Sequence, residues 1–171
     1  ICKEGNSFAC SWADITTGEF FVKNYEFPSD LIDDLVKLSP AEIVSDEFFF
    51  ELSKDLPFVK HGVLPKFNLF NAYAFDVENA TDTLKKHFSI LSLTPFGIDN
   101  DKASISSSGA LIAYLTETQK HSIGNIVDLV KIFESEFMDL DVTAVRNLEL
   151  VKTLKDGKGY GTLLWLLDKT K

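Results

Sequence analysis

The feature that most constrains this 171-residue chain lies near its start. The run "NSFACSWADI" (6–15) alternates, with Phe8, Cys10 and Trp12 on one face. After "TTG", the run "EFFVKNYEF" (19–27) puts Phe20 and Val22 on one face and Phe21, Lys23 and Tyr25 on the other. Period-two patterning in two adjacent runs predicts two antiparallel strands. Gly18 closes the turn between them and supplies the positive φ that such a hairpin often needs.

The next segments add helices and short strands. "PSDLIDDLVKLSP" places Leu31, Ile32, Leu35 and Val36 at helical spacing, with Ser29 as the expected N-cap and Pro40 as the stop. Ile43–Val44 reads as a short strand, and 46–54 as a short helix too rich in phenylalanine to be exposed. "FVKHGVLP" reads as a further strand, and "FNLFNAYAF" as helical or irregular. Val77–Leu91 returns to helical spacing through Ala80, Leu84, Phe88 and Leu91. The order β-β-α-β-α-β-α predicts a small α/β layer with an antiparallel start.

"LTPFGIDND" (93–101) then interrupts the pattern with Pro95 and Gly97 and reads as a linker or hinge. Charge shifts at the same place. Residues 1–102 carry nine lysines against 17 acids, a balance of −8, while 103–171 carry eight basic residues against nine acids, a balance of −1. Both signals put a domain boundary between 102 and 103. Beyond it come a serine-led helix with Leu111, Tyr114, Leu115 and Thr118 on one side, and an extended "GNIVDLVKIF". From Val142 a helix carries Val145, Leu148, Val151 and Leu154 at every third position, until "DGKGYG" breaks it and "TLLWLLDKT" starts another.

Composition excludes several classes. At 45% hydrophobic and 12% aromatic residues the chain can bury a core, so it is not a disordered segment. No apolar run approaches the roughly 20 residues that span a bilayer. Both ends read as cut, which points to a piece of a longer cytosolic protein. A net charge of −9 makes the chain a poor surface for nucleic-acid backbones and a better one for a protein partner. Cys2 and Cys10 have no metal-site spacing and read as buried free thiols. His61, His87 and His121 stand too far apart to suggest zinc.

Three motifs invite a catalytic reading. "DGKGYGT" lacks the GxxxxGK[ST] pattern that wraps phosphates, since Gly159 stands where the hydroxyl belongs. Asp14, ending the first strand, is placed where a two-metal nuclease would want an acid, with Glu42, Asp46 and Asp82 as possible recruits. No second acid stands at a recognisable spacing, and an Asp beside a turn often just bonds its own backbone. In "DVTAVRNLEL" (141–150), Arg146 and Glu149 are three apart on a helix. They can pair at the surface for roughly 0.2–0.5 kcal/mol; a buried Arg146 would instead bridge several carbonyls. Asp141 or Thr143 would cap that helix, worth about 1 kcal/mol. On either reading the motif is scaffold.

With these residues in view, a resemblance emerges. "FMDLDVTAVRNLEL" followed by "GYGTLLWLLDKT", and the earlier "ALIAYLTETQK", resemble the start of the core domain of the MutS family of DNA mismatch-repair proteins. "ADITTGEF", "LSPAEIV" and "LTPFGIDN" are similar to that family's connector domain. The resemblance implies a ribonuclease-H-like α/β connector with a mixed sheet over 1–102, then the first helices of the helical core over 103–171. The residues themselves give structural roles to Asp14 and Gly18 at the turn and to Asp141, Thr143, Arg146, Asn147 and Glu149 in the scaffold motif. The resemblance implies no catalytic, metal or cofactor residue in this piece; ATP and Mg would belong to the ATPase domain of a full-length relative, and mismatched DNA to a mismatch-reading domain. The Phe49-Phe50-Glu51 triplet fits the family's mismatch-reading pattern in letters only, because it falls on a predicted connector helix. The resemblance also implies a full-length homodimer in the bacterial cytoplasm and a surface for a MutL-type matchmaker, here Asp82, Thr83, Lys85 and Lys86 on the polar side of the 77–91 helix. A metal-dependent ribonuclease-H-like nuclease using Asp14 is the alternative.

Overall fold

The computed structural model describes residues 1–119, 123–133 and 142–168. They fall into two compact units, 1–133 and 134–171.

The first unit is built on the expected hairpin. β1 (Cys2–Glu4), β2 (Ser7–Asp14) and β3 (Glu19–Tyr25) form an antiparallel meander, and β6 (Val130–Ile132) joins β3 in parallel. β4 (Ile43–Ser45) and β5 (Phe67–Leu69) make a separate parallel pair. Two hydrogen bonds through Ile1 bring that pair to the sheet: its nitrogen donates to the Val44 carbonyl at 2.8 Å, and the Asp46 amide donates to its carbonyl at 3.2 Å. Gly18 has φ +80°, as the turn requires, and a Cβ there would also lie 2.4 Å from the Asn125 carbonyl oxygen.

Both sheet faces are covered. Phe8, Cys10 and Tyr25 pack on one face against Leu31, Ile32 and Leu35 of α1 (Pro28–Leu38) and Phe49 of α2 (Glu47–Ser53). Phe20 and Val22 pack on the other against Ala80 and Leu84 of α4 (Val77–Phe88) and Ile105, Ile112 and Leu115 of α5 (Lys102–Thr118). Strands buried on both sides cannot keep a clean apolar–polar alternation, which explains why both faces of the hairpin read as hydrophobic.

Several local expectations shift. α1 begins at Pro28, whose fixed φ suits the first helical position, so Ser29 lies inside the helix and bonds Asp30 at 3.1 Å instead of capping. Asp46 caps α2 by accepting the Phe49 amide at 2.9 Å. "FVKHGVLP" is not a strand. Pro57 starts a one-turn helix, α3 (Pro57–Lys60), and the strand comes later as β5 inside "FNLFNAYAF". α4 stops at Phe88, because Ser89 takes a left-handed conformation at φ +55°, and Leu91 is left exposed.

The boundary drawn between 102 and 103 does not coincide with the division at 133/134. α5, expected to open a second domain, is enclosed in the first unit: Ala103 through Ala110 are all buried. Its inward residues are Ile105, Ile112 and Leu115, while Leu111 and Tyr114 are half-buried and Thr118 is exposed. Close approach of α4 requires Gly109, where a Cβ would meet that of Ala80 at 2.4 Å. The charge shift therefore marks burial, since "ASISSSGALIAYLT" (103–116) is the uncharged body of a central helix. The linker is packed too: Leu93 and Ile98 are core residues. Asp101 fastens its end by capping α5 through the Ser104 amide at 3.1 Å and pairing with Lys131 of β6 at 2.6 Å.

In the second unit, α6 (Val142–Asn147) and α7 (Leu163–Leu167) are short. The helix expected to run through Leu154 ends early, because Glu149 adopts φ +48°. Leu148, Val151 and Leu154 are each more than half exposed, not a buried stripe. Thr162 caps α7 by accepting the Trp165 amide at 3.2 Å.

Candidate functional site

Asx geometry builds the most site-like surface among the expected residues. Asn71 accepts the Tyr73 amide at 3.0 Å, fixing the start of a 3₁₀ turn (Ala72–Phe75) and leaving Tyr73 largely exposed. Three residues on, Asp76 caps α4 by accepting the amides of Glu78 at 3.2 Å and Asn79 at 3.1 Å. With Ala80 and Leu84 turned inward, Asn79, Asp82, Thr83 and Lys86 form a stripe on the other side of α4. Between this stripe, the 3₁₀ turn and α5 lies a groove of about 380 Å³, with Glu117 on its far wall. Phe70 and Tyr114, ring centroids 5.3 Å apart in an edge-to-face contact, brace the turn against α5.

Three of the four residues expected to meet a partner, Asp82, Thr83 and Lys86, line this groove; Lys85 does not and is half-buried. Sequence reasoning missed Tyr73, Asn79 and Glu117. The Asx signal "NAY" was legible for Tyr73, whereas Glu117 comes from the far end of α5 with no local cue. Exposed aromatics are enriched in protein interfaces, whereas Lys, Asp and Glu are depleted from their cores and belong to the polar rim.

The carboxylates proposed for metal chemistry do not gather. Asp14 accepts from the Thr16 amide at 2.7 Å, the Thr16 hydroxyl, and the Thr17 amide at 3.3 Å. These turn bonds hold its carboxyl below the ordinary carboxylate range, the Thr16 hydroxyl first among them. Glu42 is taken by Tyr114 at 2.6 Å and Asn68 at 2.8 Å, and the Glu42 contact pushes the Tyr114 phenol up to about 12. Asp46 is bound to the Lys3 and Phe49 amides, and Asp82 faces the groove. Among the described residues, no three of His, Cys, Asp and Glu are placed to hold a metal ion. The nuclease reading has no cluster to work with among the described residues.

The other structural assignments vary. Arg146 and Asn147 end α6 exposed, and Thr143 lies inside that helix. Glu149 accepts the Leu154 amide at 2.7 Å, and among the described residues no ion pair joins it to Arg146. Asp141 and His121 lie outside the described residues. Cys2 and Cys10 are free and buried, and burial pushes their thiols up to about 12 and about 11.

This fold, an antiparallel meander extended by parallel strands and covered by helices on both faces, carries the sequence signature of one protein class. Residues 1–127 match the family described as MutS domain II, and the chain belongs to that family. It is similar to the DNA mismatch repair protein MutS of Lachnoclostridium phytofermentans, 35% identical over 94% of this chain and 17% of the relative. It is likewise similar to the MutS of Protochlamydia amoebophila, 35% identical over 100% of this chain and 20% of the relative. A third, the MutS of Ruminiclostridium cellulolyticum, is 32% identical over 99% of this chain and 20% of the relative. The chain thus spans about a fifth of the length of these relatives. No helix among the described residues is long and apolar enough to cross a membrane.

Proposed function

We propose that the chain is a non-catalytic connector region of a mismatch-repair protein. It couples a mismatch-binding domain to an ATPase domain, both carried elsewhere in a longer, homodimeric polypeptide of the bacterial cytoplasm. ATP, Mg and mismatched DNA belong to those domains. The groove between the Tyr73 turn and α4 receives a MutL-type matchmaker. The observation that carries this reading is the match to MutS domain II joined to a groove lined by Tyr73, Asp82 and Lys86. Of the acids a nuclease would recruit, Asp14, Asp46 and Glu42 are separately engaged in turn, cap and side-chain bonds.

Reversing the groove's charges in the full-length protein, Asp82→Lys with Lys86→Glu, tests it. Recruitment of the matchmaker to mismatch-bound protein is expected to fall at least about tenfold, equivalent to about 1.4 kcal/mol, while DNA-dependent ATPase activity stays unchanged. Unaltered recruitment would remove the groove from the account.

A further inference from the structure

The last strand of the first unit is fastened unlike the residues that lead into it. Up to Leu129 the core holds the chain. Ile126 and Leu129 are buried, the Ile126 carbonyl bonds His87 Nε2 at 2.9 Å, and the Asn125 side-chain amide donates to the Ile15 carbonyl at 2.5 Å. At Val130 the anchoring changes. Val130 and Phe133 are about half exposed, and neither they nor Ile132 belong to the hydrophobic clusters of the unit. β6 pairs with β3 over three residues, in the parallel mode that is slightly weaker per residue. Among the described strands, none pairs with its outer side.

One charged contact supplies most of the remaining hold. Lys131 Nζ meets Asp101 Oδ2 at 2.6 Å, with both side chains largely shielded from water, so salt screens the pair less than a surface one. Among the described residues, this is the side-chain hydrogen bond that joins β6 to another element. The socket itself does not depend on the lysine. Asp101 Oδ1 accepts the Ser104 amide at 3.1 Å, and Oδ2 accepts the Asn24 side-chain amide at 2.5 Å. The Ser104 hydroxyl in turn donates to Asn24 Oδ1 at 2.5 Å. Asn24 belongs to β3, and Ser104 to the first turn of α5, so elements enclosed in the unit build the receptor. Lys131 can leave without dismantling it and return to a carboxylate already in place, which lowers the ordering cost of closure.

We propose that β6 is a releasable latch: residues 130–133 detach from β3 by breaking the Lys131–Asp101 pair while the rest of the first unit stays folded. Leu129, held in the core, is the fixed end from which they swing. Release uncovers no core side chain and costs three ladder pairs and one ion pair, which places it among local openings rather than global unfolding. Four freed residues add about 13 Å of reach to whatever polypeptide follows Phe133. Closure takes that slack back and fixes the exit of the chain on the edge of β3. The latch is independent of the proposed partner groove and stands or falls without it.

Peptide-resolved hydrogen exchange on the full-length protein, in buffer and in low urea, tests the latch. Residues 130–133 are expected to be protected, yet to exchange at least about tenfold faster than residues 105–112 of α5. Their exchange should depend little on urea, because the opening exposes little surface, whereas that of 105–112 should depend on it steeply. Lys131→Met should speed exchange at 130–133 by at least about tenfold and keep the shallow urea dependence. Asp101→Asn retains an oxygen for the Ser104 amide but removes the charge. It should act likewise, and the double variant should exchange no faster at 130–133 than the faster single one. One shared rate and urea dependence for 130–133 and 105–112 would overturn the proposal, since β6 would then open only with the whole unit. So would an absence of protection at 130–133 in the parent protein, or a rate there that Lys131→Met leaves unchanged.

Discussion

The two units of this molecule solve the problem of burying apolar surface to different extents. In the first, Phe20, Val22, Leu31, Phe49, Leu84 and Ile112 are at most 2% exposed, drawn from strands and helices that enclose one another. In the second, five consecutive residues of α7, Leu163 through Leu167, are exposed, and Thr162 is the buried residue among those described. The first unit spends its hydrophobic residues on itself. The second holds its shape through turn and cap bonds, such as those of Thr162 and Glu149, which are each worth about 1 kcal/mol or less. Cooperative stability should therefore reside in residues 1–133.

The largest effect that sharpens this contrast is Phe49→Ala. Phe49 is fully enclosed in the core beside Phe8, so its truncation should destabilise the first unit by about 3–5 kcal/mol in urea unfolding. Gly109→Ala comes next, at about 1–3 kcal/mol, because its methyl group would overlap Ala80 unless α4 and α5 move apart. Asp76→Ala should cost about 1 kcal/mol by uncapping α4, and should also speed amide exchange at Glu78 and Asn79. Leu166→Ala, in the second unit, should change unfolding by less than about 0.5 kcal/mol. A Leu166 effect as large as that of Phe49 would erase the distinction.

Acid provides a separate test of the first unit. Burial alone would raise the carboxyls of Asp34 and Asp101, but their lysine partners outweigh it: Lys23 and Lys37 for Asp34, and Lys131, together with the Ser104 amide and hydroxyl, for Asp101. Both titrate below the ordinary carboxylate value. Their contribution is complete above an unfolded-state pKa of about 3.9 and is lost as pH falls through the lower folded values. Lys131→Met should thus destabilise the chain at pH 7, and its penalty should shrink as the medium is acidified below the unfolded-state value. A penalty that does not change on acidification would mean that Lys131 acts through packing alone.

The elements legible in the sequence are those whose signal is local. The hairpin, α1, α2 and α4 each announce themselves by periodicity or by a turn residue, and all four form, with α1 starting at Pro28 and α4 stopping at Phe88. The misreadings share a cause in tertiary context. α3 and β5 exchanged places in the reading because Pro57 fixes a helical start in a run that is otherwise β-prone. The 102/103 boundary came from a loss of charge that the fold explains as the enclosure of α5. The α4 stripe was partly visible, since Asp82, Thr83 and Lys86 follow from the inward placement of Ala80 and Leu84. Glu117 and the groove itself required knowing that α5 lies alongside α4.

The central claim is that the Tyr73–Lys86 groove receives a MutL-type partner while the chain itself performs no chemistry. A hydrogen-exchange footprint of the full-length protein, mismatch-bound with and without that partner, tests it most directly. The account expects slowed exchange in peptides covering residues 70–86 and around Glu117, with the Asp14 turn unchanged. Slowed exchange confined to other surfaces, with the groove unaffected, would contradict it.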